Sequence, residues 1–349
     1  MPPTPVLDGP VLDGHEALFA SNVLIVTGKG GVGKTTVAAS LALAAVASGR
    51  RTLLVEVEER QGFSRTFGTQ PWDYQEREFR PNLWGASLDP ADAVYEYLEL
   101  FYGIRRVQWV MERSNAIDFV TTAAPGLRDL LLIGKVYEIE ARRREDGRRM
   151  YDLIVLDAPP TGRIVPFLLA PEGVTEIVRV GPIKRQAAQI REMLSNPDRS
   201  QAVLVSLLEE MPVQETVDGV GMLTDAGVAV GPVVANQVIV PRVTHEHAAT
   251  LRDLDDAEIL AAAQRLGTPL AADGAGLVRD AAAAHRDRVD LQSSLRDDLV
   301  ARTDRPLLEL PLLTGATFDA NDLEVLADCL AIQVGEDGPR SDQVPGWSL

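Results

Sequence analysis

Apolar residues along this chain fall into short continuous runs separated by longer stretches with helical spacing. The runs at residues 22–26, 51–57, 83–88, 151–156, 201–206, 230–235 and 305–310 are each too short for a helix and apolar on both alternating faces. That pattern predicts strands buried on both sides. Between them lie helical stretches: residues 35–48, closed by Gly49; a helix opened by Asp89-Pro90; helices within 106–146 broken at Pro125-Gly126; residues 213–223; and residues 319–332. A long acidic, alanine-rich helical section spans 244–303. Strands alternating with helices predict an α/β fold, a mostly parallel central sheet flanked by helices. Helical insertions at about 89–146 and 171–200 are expected to form a helical subdomain on the ligand side of the sheet. The tandem repeat PVLDG-PVLDG at 5–14 predicts a flexible leader over residues 1–20. A single domain would then run over 21–333, and residues 334–349 read as a disordered tail.

Composition narrows the function classes. Of 349 residues, 46% are hydrophobic and 24% charged, the balance of a globular domain. The net charge of −17 argues against sequence-independent nucleic-acid binding and against adhesion to anionic lipid. No apolar run is long enough to span a bilayer, and the N-terminus has no signal-peptide pattern, so a cytoplasmic location is expected. The lone Cys329 excludes an intramolecular disulfide framework, and no zinc or iron–sulfur centre is expected. Basic charge is carried almost wholly by arginine, with lysine only at 29, 34, 135 and 184. Two of those lysines stand in one nine-residue loop.

That loop is Gly28-Lys29-Gly30-Gly31-Val32-Gly33-Lys34-Thr35-Thr36, between a predicted strand and a predicted helix. It matches G-x-x-x-x-G-K-[ST]. The glycines let consecutive backbone N–H groups turn inward around an anion, and the helix N-terminus adds partial positive charge. Lys34 is expected at the β- and γ-phosphates of ATP or ADP, and Thr35 on Mg²⁺. Asp157 ends a predicted strand, placed two strands from the loop, and is the second candidate for the magnesium site. The bland reading of Asp157 is a helix N-cap or turn residue. His245 and His247, two apart, point to different sides of a helix, and Arg142 to Arg149 read as a helix-end charge cluster.

GKGGVGKTT, with lysine directly after the first glycine, resembles the deviant P-loop of the ArsA, MinD and nitrogenase-reductase class of dimeric ATPases, the SIMIBI type of P-loop NTPase. Four further stretches resemble the ArsA family, which holds the arsenite-pump ATPase and the tail-anchored-protein targeting ATPases. They are DAPPTGRIVPFL at 157–168, NLWGASLDPADA at 82–93, APGLRDLLLIGKVYEI at 124–139, and the pair VVANQ at 233–237 with LPLL at 310–313. The resemblance implies that Lys29 crosses a dimer interface to the partner's phosphates. A lysine there would otherwise face solvent with nothing to neutralise. It also implies that Asn236 hydrogen-bonds adenine, that Pro311 and Leu312 pack on the base, and that Thr161 and Gly162 lie in the switch sensing the γ-phosphate.

Three departures from the family pattern stand out. The family's switch-one aspartate, followed by P-A-H-S, is here Glu58-Glu59-Arg60-Gln61-Gly62, so the carboxylate expected to place the attacking water sits on a longer arm. Arg163 replaces the switch-two histidine. The zinc-binding C-x-x-C is missing. These features, with VEVEERQG, are similar to actinobacterial ArsA-like proteins that occur as paired subunits.

The implied function is a Mg-ATP-binding dimeric ATPase, slow in isolation. Opening and closing would couple to a hydrophobic protein client or to a second ArsA-like subunit. The alternative is a weakly hydrolysing regulatory subunit of a heterodimer. The apolar stretch 98–110 is a candidate client groove, with core packing as its plain alternative. A partitioning role fails for lack of a basic face and a terminal amphipathic helix. A nitrogenase-reductase role fails for lack of cluster cysteines, and arsenite transport is disfavoured for lack of metalloid-binding ones.

Overall fold

The structure is a computed structural model, described over residues 15–57, 61–93, 96, 125–177, 182–315 and 318–335. Glu58, Glu59 and Arg60, the PVLDG repeat, the stretch 98–110 and residues 336–349 lie outside these. Residues 15–20, expected as the end of the leader, form a 3₁₀ turn whose Leu18 and Phe19 are buried.

The strands are β1 (Val23–Gly28), β2 (Thr52–Val57), β3 (Arg77–Arg80), β4 (Leu83–Leu88), β5 (Leu153–Asp157), β6 (Ser200–Leu207), β7 (Val230–Val238) and β8 (Leu307–Pro311). They form one sheet in the order β3-β4-β2-β5-β1-β6-β7-β8. All neighbours are parallel except β3, which runs antiparallel to β4. β3 is the strand absent from the predicted set. Its sequence, Arg-Glu-Phe-Arg, has no apolar run because it closes an edge, where only Phe79 packs inward, against Phe67 and Trp72.

Among the described residues there are ten α-helices, six to thirty residues long: α1 (Lys34–Ala47), α2 (Gly62–Phe67), α3 (Pro125–Ala141), α4 (Thr161–Ile177), α5 (Pro182–Ser195), α6 (Glu210–Asp225), α7 (His245–Asp253), α8 (Asp256–Arg265), α9 (Gly274–Thr303) and α10 (Ala320–Gln333). α1 is alanine-rich, which favours helix intrinsically, and ends where Gly49 adopts φ +85° and its N–H bonds Val46 O. The start of α10 is set by a capping box between Asp319 and Asp322. The acidic section resolves into α7, α8 and α9, of which α7 buries no residue.

Alternation along the strands sorts the core into two layers. Leu24, Val26, Leu54 and Val155 face α1 and α10, with Leu41, Leu326 and Leu330 between. Val23, Ile25, Val55 and Leu156 face the other way, toward Leu132 and Val136 of α3, Phe167 of α4, Ile190 of α5 and Val220 of α6. Each fully buried aliphatic side chain contributes about 1.5–3 kcal/mol by leaving water. The sheet is covered on both faces, as parallel sheets require.

The Arg142 to Arg149 cluster follows a helix end, as expected: α3 stops at Ala141, and the Arg143 guanidinium donates to the Glu140 carbonyl oxygen in its last turn at 2.9 Å. Arg142 also bridges Glu138 and Glu76, and Arg143 pairs with Arg149 in a short antiparallel bridge. The cluster closes a turn and ties it to the loop before β3.

Candidate active site

Every parallel strand points its C-terminal end to one edge, and the loops there carry the candidate residues. β1 connects to β2 on one side, while β6 connects to β7 on the other. Between these outward-running halves a crevice opens at the C-terminal edge. The loop from Gly28 to Gly33 fills that position.

Its backbone needs glycine for two separate reasons. Gly28 (φ +147°) ends β1, and a Cβ there would lie 2.3 Å from the Val205 carbonyl oxygen. A backbone oxygen cannot swing aside, so no side chain fits. Gly31 (φ +88°) and Gly33 (φ +91°) adopt left-handed conformations that other residues enter at a cost. A Cβ at Gly30 or Gly31 would meet nothing within 4 Å, so this wall of the loop is open. α1 then starts with Gly33 as N-cap, without a side-chain hydrogen bond and with no acidic residue in its first turn. The first-turn N–H groups thus receive no side-chain cap from Gly33, and the positive end of the helix is left for an anion.

Lys34 is buried, and its Nζ donates to the Lys29 carbonyl oxygen at 3.0 Å, folded back over the loop. Thr35 Oγ1 donates to Asp157 Oδ2 at 2.7 Å. Asp157 ends β5, which lies directly beside β1, with Val26 opposite Asp157, and not two strands from it as expected. A strand end thus delivers the carboxylate to the first turn of α1. Thr27 Oγ1 donates to Pro159 O at 2.7 Å, and Ala158 N to Val26 O at 2.9 Å, so the Asp157 loop is tied to β1. The oxygen donors of Thr35 and Asp157 are the hard ligands Mg²⁺ takes, and the open amide cradle beside them fits a polyphosphate. The residues present therefore fit magnesium nucleotide.

Lys29 has a partner within its own chain, so the premise that it would otherwise face solvent with nothing to neutralise does not hold. Its Nζ lies 2.7 Å from Glu215 Oε1 on α6, the layer opposite α1. Sequence reasoning had no means of seeing Glu215, an acidic residue in an amphipathic helix nearly two hundred positions along the chain.

Asn236 lies near the end of β7 and is buried. Its Nδ2 donates to Val32 O at 2.9 Å, and its Oδ1 accepts from Gln237 N at 3.0 Å. Its Nδ2 would stand 2.3 Å from a Cβ on Gly33, a further reason for glycine there. Pro311 ends β8 and is buried, while Leu312 is exposed with its N–H on Val238 O at 2.8 Å. Thr161 and Gly162 open α4, with Thr161 buried against α6 near Gly219 and Gly162 and Arg163 exposed. His245 is exposed and pairs with Asp290 on α9.

Glu56 is a residue that the sequence reading passed over. It is buried in β2, opposite Asp157 in the sheet, and accepts the N–H groups of Gln61 and Gly62, each at 3.1 Å. The available signal was a glutamate inside the otherwise apolar strand Thr-Leu-Leu-Val-Glu-Val.

Known proteins resemble this chain in sequence. The anion-transporting ATPase family matches residues 21–186, which include the P-loop, Glu56 and Asp157. The ATPase BagA of Mycobacterium tuberculosis is 37% identical over 320 residues, covering 88% of this chain and 92% of that protein. A protein of Halobacterium salinarum named for an arsenical pump-driving ATPase is 28% identical over 232 residues, 62% of this chain and 35% of its own length. The ATPase GET3 of Kluyveromyces lactis is 25% identical over 252 residues, 62% of this chain and 72% of its own. With its P-loop at the end of β1 and a relative of this identity matched over nearly its full length, the chain belongs to the ArsA family of P-loop ATPases.

Proposed function

We propose that this chain hydrolyses Mg-ATP as one half of a dimer whose closure is coupled to a protein partner or client. The observation that carries the nucleotide part of the reading is the P-loop with Thr35 hydrogen-bonded to Asp157, and the dimer rests on the resemblance of Lys29 to the family's lysine at that place in the loop. Lys34 lies back over its own loop, while the Lys29 ammonium is held on Glu215. Lys34 serves the phosphates of its own chain, and Lys29 serves those of the partner. Thr35 and Asp157 hold the metal, which when bound neutralises charge on the β- and γ-phosphate oxygens. Asn236, Pro311 and Leu312 form the adenine side. Glu58 orients the attacking water. A cation entering from a partner stabilises charge spread over the transferring phosphoryl group, an effect worth roughly 10³ to 10⁵ in rate in related chemistry.

Turnover by the isolated chain is slow in this reading, because the carboxylate at 58 is one methylene longer than aspartate and the step depends on geometry. The same feature supports a second reading, a weakly hydrolysing regulatory subunit paired with another ArsA-like chain. Turnover and light scattering, measured on wild type and Lys29→Ala, alone and mixed with a partner subunit, test both. The variant should bind ATP yet lose hydrolysis and nucleotide-dependent dimer closure. A wild-type chain that stays monomeric with Mg-ATP and every partner, and whose turnover ignores Lys29→Ala, would contradict the dimer.

A further inference from the structure

Glu56 has no part in the reading above, yet it sits where that reading puts the metal. Residues opposite each other in neighbouring parallel strands project to the same face, and Glu56 stands opposite Asp157. Both lie at the C-terminal edge on the α1 side of the sheet, in register with the apolar positions Leu54 and Val155 that face α1. Glu56 is 2% exposed. Its two oxygens hold the N–H groups of Gln61 and Gly62, which open α2. Gly62 in turn lies beside the metal-site threonine, near enough that a Cβ added to it would be 3.1 Å from Thr35 Cγ2 and 4.0 Å from Glu56 Oε2.

A plain helix cap does not account for this arrangement. A six-residue helix can be capped by a short neutral side chain at its own N-cap, which keeps no charge inside the sheet. Burying a carboxylate costs several kcal/mol, and two hydrogen bonds to neutral amides return only part of it. A nearby cation would supply the rest. Each oxygen of the carboxylate spends one lone pair on an amide and keeps another. It can therefore accept a hydrogen bond from metal-bound water without releasing Gln61 or Gly62.

Resting on the magnesium-nucleotide reading above, we propose that Glu56 is a positioning residue for the metal. It would act through water and not as a direct ligand, linking the ion's hydration shell to the backbone of Gln61 and Gly62. Metal arrival would then strengthen the tether that holds the start of α2 over Thr35.

Calorimetric titration with ATP, in excess Mg²⁺ and in chelator, distinguishes this role from a structural one. Wild type should gain affinity on adding Mg²⁺. Glu56→Gln should lose about tenfold or more of that gain, the usual effect of removing an outer partner of a metal site. Its affinity for metal-free ATP should be unchanged or higher, because one negative charge near the phosphates is gone. Glu56→Asp, which keeps the charge on a shorter arm, should recover part of the gain, and it carries the comparison if the glutamine variant does not fold. An undiminished magnesium gain in Glu56→Gln, or equal losses with and without Mg²⁺ in both variants, would overturn the proposal. A wild type that binds ATP but gains nothing from Mg²⁺ would instead remove the magnesium reading on which it rests.

Discussion

Lys29 and Glu215 form an ion pair of 2.7 Å between the first turn of the P-loop and the face of α6. Side chains 29% and 38% exposed make this a pair of modest strength, worth about 0.2–1 kcal/mol. If Lys29 acts on a second nucleotide as proposed, it must first leave Glu215. Glu215→Gln should therefore ease dimer closure and raise turnover by a factor of about 1.4–5, the range that energy corresponds to. The gain should vanish in the Lys29→Ala background. Steady-state hydrolysis of the two single variants and the double variant checks this. An equal gain with and without Lys29 would show that Glu215 acts elsewhere.

Asn236 links the end of β7 to the P-loop through Val32 O. Removing a buried amide that satisfies a carbonyl costs about 1–3 kcal/mol. Asn236→Ala should lower unfolding stability by that amount in a denaturant titration. If the amide also reads the base, ATP affinity should fall more than GTP affinity. Equal losses for the two nucleotides would leave Asn236 as a support for the loop alone.

Cys329 is partly buried on α10, and burial, reinforced by the charge of Asp328, pushes its thiol up to about 12. At pH 8 its thiolate should be scarcer than that of an ordinary cysteine by about three orders of magnitude. Thiol-specific reagents should label the folded protein correspondingly slowly and the denatured protein at the ordinary rate. The sign for stability follows: the contribution of the neutral thiol is intact below its usual value of 9.0, and it is lost as pH rises from there through about 12. Rapid labelling of the native chain at pH 8 would contradict this.

Sequence legibility tracked how local each feature is. The strand cores at β1, β2, β4 and β5 are continuous apolar runs, and their burial follows directly from that. The P-loop announces itself because glycine at positions 28, 31 and 33 is required by backbone geometry confined to a few residues. β3 escaped notice because an edge strand with one inward residue carries no hydrophobic pattern. The pairing of Lys29 with Glu215, and of Asn236 with Val32, depends on strand order, which spacing along the chain does not encode. The adjacency of β5 and β1 is of the same kind, so Asp157 was identified correctly as a strand-end acid but placed one strand too far away. Glu56 was visible as an anomaly, a charge in a buried strand, and acquires meaning only beside Asp157.

The central claim is that the loop from Gly28 to Thr36 holds the phosphates of Mg-ATP through Lys34. Isothermal calorimetry of wild type and Lys34→Ala with ATP and Mg²⁺ tests it most directly. Charge-assisted hydrogen bonds to phosphate oxygens are worth enough that the variant should lose on the order of a hundredfold in affinity or more. Its thermal unfolding should stay close to wild type without nucleotide. Unchanged ATP affinity in a folded Lys34→Ala protein would contradict the account.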